Sequence, residues 1–439
     1  MRRAAIAAAI VLAAGLAAWS WRTPIAPPPA TPETTTPAPP PAWAPGDGPI
    51  VAWSGQAAAR FEPCGCVAGM FGGLNRRAPL LARFPAARLL ALELGGWSGG
   101  SRPHERLRTA WYLRGLAAAG IDAIAVGRAE VALGADVLGQ YLRDAQVAGV
   151  PVVACNLQHP GLAELVEVTA GGVRFAVTAV VPADAGGEGL TVGDPADALA
   201  GLLPRLAGRP LVVVADLDEA GLMQLAGTVP GLALVVGGAV KNHSLVPAAA
   251  GAARVVHAGN HGKVAAWWPW GAEACTVELI PDSLPEDQRM RELLAGYQKE
   301  LGGARLDIDQ GAAAPPGHGF AGSAACTACH AQAARIHASS RHPAALAAVQ
   351  RKGYGDDPDC LRCHVTGIAE AGGWRRQPDR GHLGEVGCEA CHGPSAQHVA
   401  DPKQRTRPVS IATCLGCHDA ENSPGFEHAA YWPRIIHGR

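Results

Sequence analysis

The sequence predicts a multidomain chain, in which an α/β sheet domain is followed by a smaller region made mostly of helix and loop. Three observations carry this. Short β-branched runs alternate with helix-length segments between residues 50 and 302, the pattern of strands buried on both faces under covering helices. Eight of the 12 cysteines fall after residue 320, in a regular spacing. Residues 22–49 and 303–319 follow neither pattern and read as linkers.

Taken in order, residues 1–21, MRRAAIAAAIVLAAGLAAWSW, begin with two arginines and run apolar from Ala4 to Trp21. About 18 apolar residues lie at the border between a signal-peptide core and a short membrane span. Trp19 and Trp21 stand where the small residues of a cleavage site would be, and Trp suits a membrane–water interface. The expectation is a signal anchor or a signal peptide, with Arg2 and Arg3 on the inner side and the rest exported. The Pro/Thr-rich stretch 22–49 favours extended polyproline II, a tether on the order of 80 Å at ~3.1 Å per residue. The formal net charge is −1, so charge points to no nucleic-acid partner.

From residue 50 the runs IVAWSG, ARLLALEL, DAIAVG, PVVACNL, VRFAVTAVV, PLVVVADL, LALVVGGAV and ARVVHAG read as buried strands. Helices are expected over 105–118, 132–147, 195–206 and 219–227, laid on the faces of a sheet. About 250 residues is ample for one core.

The last 120 residues carry one motif four times: CTACH (Cys326, Cys329, His330), CLRCH (Cys360, Cys363, His364), CEACH (Cys388, Cys391, His392) and CLGCH (Cys414, Cys417, His418). C-x-x-C-H is the attachment pattern of c-type haem. Two thiols on one helical turn can each add to a haem vinyl group, and the next residue presents its imidazole to the iron. Paired C-x-x-C units can also hold zinc, but zinc does not require a histidine after every second cysteine. Four covalent haems are therefore expected, with His330, His364, His392 and His418 as proximal ligands. His318, His337, His342, His382, His398, His428 and His437 are available as second axial ligands. A second histidine closes an iron to substrate and favours electron transfer, while an open position permits chemistry.

CTACHAQAARIHASSRHPAAL, CLRCHVTGIAEAGGW and VGCEACHGPSAQHVADP resemble the tetrahaem cytochrome c554 family over residues 320–439. The resemblance implies His342, His398 and His437 as distal ligands, His337 as a packing residue, and a five-coordinate iron on His364, with His382 and His428 as alternatives for the fourth distal position. Helix is expected near residues 331–339, ending before Pro343.

The α/β segments resemble the metallophosphatase fold of exported 5′-nucleotidases, the calcineurin-like superfamily. The carrying stretches are GIDAIAVGRAEVALGADVL, PVVACNL, VVVADLDEAGLMQLAGTVPGLALVVGGAV and NHGKVAAW. The family's metal ligands are missing. Its D-x-H reads Ser54-Gly55-Gln56, its next Asp falls in GGW near Gly96, its G-N-H-E reads Gly127-Arg128-Ala129-Glu130, and its later histidines fall near Asp216 and Ala239. Gln, Arg and Ala cannot rebuild a two-metal cage, so no phosphoesterase activity is expected. His243, His257 and His261 are either a metal cluster or ordinary loop histidines. Cys155 and Cys275 read as buried strand cysteines. Cys64 and Cys66, in FEPCGC after the first strand, read either as a thiol-based metal or redox site or as structural residues, a disulfide to Cys155 among the latter.

Together these features describe a membrane-tethered, periplasmic tetrahaem cytochrome carrying electrons between a redox protein donor at the membrane and a periplasmic acceptor protein. The alternatives are a multihaem reductase of a small nitrogen or sulfur compound at an open haem, and a metal-dependent phosphoesterase.

Overall fold

A computed structural model describes residues 48–63, 70–238, 240, 242–258, 261–304, 306, 314–376, 378–420 and 422–438. The expected anchor, Cys64 and Cys66 lie outside the described residues. From residue 48 onward the chain belongs to one compact unit.

Twelve strands form two six-stranded sheets. The first holds β1 (Ile50–Ser54), β2 (Leu89–Glu93), β3 (Ala123–Ala125) and β4 (Val152–Val153). The second holds β5 (Val166–Ala170), β6 (Val173–Val180), β7 (Leu211–Ala215), β8 (Leu232–Gly237), β9 (Ala248–Ala250) and β10 (Ala253–His257). The chain then returns to the first sheet with β11 (Val264–Pro269) and β12 (Thr276–Leu279). The orders are β12-β11-β1-β2-β3-β4 and β5-β6-β7-β8-β10-β9. The runs β1 to β4 and β6-β7-β8-β10 are parallel, with antiparallel strands at the edges.

The expected α/β sheet domain is thus present, built on two sheets where the strand runs alone suggest one sheet with helices on both faces. The two sheets face each other: Val51, Trp53, Leu90 and Leu92 of the first share a core with Val212, Val214, Leu234 and Val236 of the second. The alternate residues Ile50, Ala52, Leu89 and Ala91 point the other way, into a second core. Every central strand is thus buried on both faces, which produces the continuous apolar runs. Sequence periodicity cannot distinguish a covering sheet from a covering helix.

Helices close the outer faces. α1 (Leu74–Leu81), α2 (Pro103–Ala118), α3 (Arg128–Val131) and α4 (Ala135–Ala148) follow strands of the first sheet, while α5 (Pro195–Leu202) and α6 (Glu219–Thr228) cover the second. α7 (Gln288–Ala304) returns to the first and extends past residue 302. Local chemistry sets their starts. Pro103 occupies the first turn of α2, and Glu105 reaches back to the Arg102 N–H at 2.8 Å. Asp194 and Asp218 cap α5 and α6.

The C-terminal region is short helices and loops: α8 (Ser323–Thr327), α9 (Ala331–Ala338), α10 (Ala345–Gln350), α11 (Pro358–His364), α12 (Cys388–His392), α13 (Ala396–Ala400), α14 (Ile411–Leu415) and α15 (His428–Tyr431). Its buried apolar cluster is small: Phe320, Leu361, Val365, Trp374 and Leu383. Val399, Ile411, Leu415, Tyr431 and Ile436 are left exposed. A region so poor in core suits a group that brings its own apolar surface to bury.

Candidate haem sites and the closed α/β centre

Each C-x-x-C-H lies on a helical turn. α11 and α12 each contain a whole motif, while Cys326 and Cys414 end α8 and α14. The His330 N–H donates to the Cys326 carbonyl at 2.9 Å, and the His418 N–H to Cys414 at 2.8 Å. Residues i, i+3 and i+4 share one helix face, so each turn presents two thiols and an imidazole together.

The imidazoles are prepared as ligands. His364, His398 and His437 donate Nδ1–H to the carbonyls of Ala345, Gln404 and Ile435 at 2.6, 2.7 and 3.0 Å. His418 Nδ1 lies 3.1 Å from Ser423 Oγ. Such bonds fix the tautomer and leave Nε2 with its lone pair. Burial holds His342, His392 and His418 below the ordinary histidine range, so they are neutral, as ligation requires.

Three pairs of rings provide a test of fit. His330 faces His398 with ring centres 6.0 Å apart, His392 faces His437 at 5.9 Å, and His418 faces His342 at 6.2 Å. A metal-bound imidazole nitrogen sits about 2 Å from the metal and its ring centre about 1.1 Å further back, so two rings opposed across one iron stand about 6 Å apart. The distal histidines expected from the resemblance are the three brought to proximal ones. The pairings do not follow chain order: His342, soon after the first motif, lies opposite His418 of the fourth. His337 turns Nε2 to the Val386 carbonyl at 2.8 Å, and its ring lies nearly parallel to that of His342 with centres 6.4 Å apart. His428 stacks on Trp432, and His382 lies against Gly322.

The motifs also meet one another. Cys326 shares a hydrogen bond with Cys388, and Cys363 with Cys417, which pulls Cys388 and Cys363 down to about 6. Burial and, after it, the nearby Cys414 thiol push the Cys391 thiol up. Glu389, inside CEACH, ties the third motif to the chain just before the first. Its buried carboxylate accepts the N–H groups of Ala321, Gly322 and Ser395 at 2.9, 2.7 and 2.8 Å. Sequence reading missed this role of Glu389, since the x positions of the motif carry no chemical signal.

In the α/β domain, the strand ends where a two-metal centre would lie are closed by protein. Gln56, at φ 57°, donates through Nε2 to the Gly238 carbonyl at 2.5 Å. The Gly95 and Gly127 backbones touch: a Cβ on Gly127 would stand 2.8 Å from the Gly95 Cα and 2.9 Å from Asp216 Oδ2. Asp216 accepts the Arg128 N–H at 2.5 Å. Glu130 is fully buried and accepts from Gly96 N, Ser98 N, Ser98 Oγ and Gly127 N at 2.9, 3.0, 2.8 and 3.1 Å. Burial pushes its carboxyl up, and the four donors oppose this.

His243, His257 and His261 do not form a metal-ligating group among the described residues, where the one such group is His104, Glu105 and Asp359. His257 Nδ1 instead meets the Asn242 carbonyl at 3.0 Å. Cys155 and Cys275 are free thiols, pushed up by burial to about 11 and about 12. The disulfide considered for Cys155 is therefore not formed.

Turns that present two thiols and an imidazole together, with further histidines opposed to three of them, are the arrangement that covalent haem c attachment requires. The family of cytochrome c554 and c-prime matches residues 325–393. Cytochrome c-554 of Nitrosomonas europaea is 29% identical over 100 residues, covering 19% of this chain and 43% of that protein. The chain thus spans less than half the length of the curated relative it matches.

Among solved structures, the 5′-nucleotidase precursor from Thermus thermophilus is similar at 21% identity and TM-score 0.48, covering 58% of this chain and 59% of that one. The sulfate thiohydrolase SoxB, also from Thermus thermophilus, gives 15%, 0.49, 59% and 61%. The calcineurin-like phosphoesterase YfkN from Bacillus subtilis gives 16%, 0.47, 57% and 97%.

Proposed function

We propose that this chain is an exported tetrahaem electron carrier, passing electrons between a membrane-side redox protein and a periplasmic acceptor protein, with an α/β domain that is not a phosphoesterase. The supporting observation is that the four C-x-x-C-H turns lie in one region, with His398, His437 and His342 opposed to His330, His392 and His418 at ring-centre separations of 6.0, 5.9 and 6.2 Å.

Haem c, when bound, supplies a one-electron couple at each site. The chain's own residues do the rest. Each motif's two cysteines would hold the group irreversibly, and its histidine would ligate. His398, His437 and His342 would supply a second ligand at the first, third and fourth motifs, which would favour electron transfer over substrate binding there. The carbonyls of Gln404 and Ile435 keep two of these rings turned to their task.

The closed α/β centre supports the second half of the reading. The place of one metal-ligating side chain is taken by an amide bonded to Gly238, and the adjoining Gly95 and Gly127 backbones are in contact. Among the described residues no helix is long and apolar enough to cross a membrane. The tether is proposed for residues 1–21 on sequence alone. Fractionation of the producing cell, with detection by haem staining, tests export and attachment. Redox activity in the membrane fraction supports the tether, and redox activity confined to the soluble periplasm removes it.

A further inference from the structure

The helix of the second motif, α11, is seated in the α/β domain by its first turn. Asp357 caps it, accepting the Asp359 N–H at 2.9 Å, and its other oxygen accepts from Tyr297 Oη of α7 at 3.1 Å. Asp359, which directly precedes Cys360, is held from three directions by α2 and its cap. Arg102 Nη2 lies at 2.6 Å, Arg108 Nη1 at 2.8 Å and His104 Nε2 at 3.3 Å. Arg108 is also 4.0 Å from Asp357.

Upstream, Tyr354 Oη donates to Glu62 at 2.6 Å, and Gln298 Nε2 to the Lys352 carbonyl at 3.0 Å. Much of this is out of water: His104, Arg108 and Asp357 are 6%, 16% and 4% exposed, and Asp359 31%. Ion pairs sheltered in this way act more strongly than surface pairs. The His104–Glu105–Asp359 group could hold a cation by its ligand types. Arg102 and Arg108 already occupy both carboxylates, so the cluster is an ion-pair network.

We propose that α2 and α7 of the α/β domain form the seat of the second haem-bearing helix, with Arg108 and Asp359 as positioning residues that set the reduction potential of that one haem. This rests on the reading that Cys360, Cys363 and His364 carry a haem. Removing a cation beside a haem disfavours the incoming electron, and removing an anion favours it. Arg108 and Asp359 are the two halves of one ion pair, so neutralising each in turn must move the same couple in opposite directions. Lost packing alone has no such antisymmetry.

The test is potentiometric titration of the full, haem-loaded chain, resolved by optical and EPR signals. Asp359→Asn raises one couple, Arg108→Gln lowers the same couple, and Asp359→Glu returns it near the wild-type position. The expected change in its reduction constant is on the order of tenfold, or ~59 mV for one electron. The other couples stay in place, as do all couples in Arg174→Gln, which removes a cation paired with Glu167 on β5. The proposal is overturned if all haems are retained and no couple moves, or if both neutralising variants shift it the same way. Should Asp359→Asn fail to accumulate, Arg108→Gln and Asp359→Glu decide by the same criteria. A wild-type haem count below four would strike the tetrahaem reading instead, and is read separately from the same sample.

Discussion

Replacing Glu130 with Gln probes the statement that its buried carboxylate is a structural knot joining the loops after β2 and β3. The carboxylate is fully buried. Its Oε1 accepts from Ser98 N and Ser98 Oγ, and its Oε2 from Gly96 N and Gly127 N. An amide of the same shape keeps one oxygen and so serves one pair of donors; the other pair would face an NH2 group. Two hydrogen bonds to a charged acceptor are lost, at about 1.5–3 kcal/mol each.

The neutral side chain escapes the carboxylate's desolvation cost, which lowers the loss to a net of about 2–4 kcal/mol. Urea unfolding of the full chain, followed by far-UV circular dichroism, measures it. A stability change below about 0.5 kcal/mol, within the range of ordinary surface substitutions, would refute the knot. So would a divalent ion that co-purifies in whole-number ratio with wild type and is lost in Glu130→Gln, because Glu130 would then be a ligand.

Other substitutions test neighbouring parts of the account. His398→Ala converts one low-spin iron signal to high spin in EPR, whereas His337→Ala leaves the low-spin count unchanged; the reverse pattern would exchange their roles. Glu93→Gln strands the Arg77 guanidinium, now 2.6 Å from Glu93 with both side chains at most 3% exposed. It should cost about 3–5 kcal/mol in the same urea assay, and a neutral effect would contradict a buried ion pair. Burial raises the Asp122 carboxyl to about 6, against the hydrogen bond from the Ala91 N–H at 2.8 Å. A raised carboxyl favours the protonated fold, so this contribution is full below about pH 4 and is lost as pH rises through 6. Asp122→Asn should therefore gain up to about 3 kcal/mol over wild type at pH 7 and almost nothing at pH 4. Equal effects at both pH values would contradict the shift.

The candidate haem sites were legible because covalent attachment demands a fixed local spacing, and C-x-x-C-H keeps it. The candidate distal histidines were legible only through family likeness, and which motif each faces was not. His342 reaches His418 across most of the C-terminal region, and nothing local encodes that pairing. In the α/β domain the departure of Gln56, Arg128 and Ala129 from the metallophosphatase ligand pattern could be read directly. The contact of Gly95 with Gly127 that seals the centre could not, since it depends on how β2 and β3 approach. Two facing sheets were mistaken for one because a strand such as Leu211–Ala215 is equally apolar on both faces. The seat for the second motif was hidden for another reason: Arg102, His104 and Arg108 read as an ordinary polar helix face until Asp359 is brought to it.

The central claim is that the C-terminal region carries four covalently bound haems. Intact-mass spectrometry of the exported protein, with iron determined on the same sample, measures it most directly. The account predicts a mass increase of four haem groups and four irons per chain. Any smaller number, or zinc in place of iron at the cysteine motifs, would contradict it.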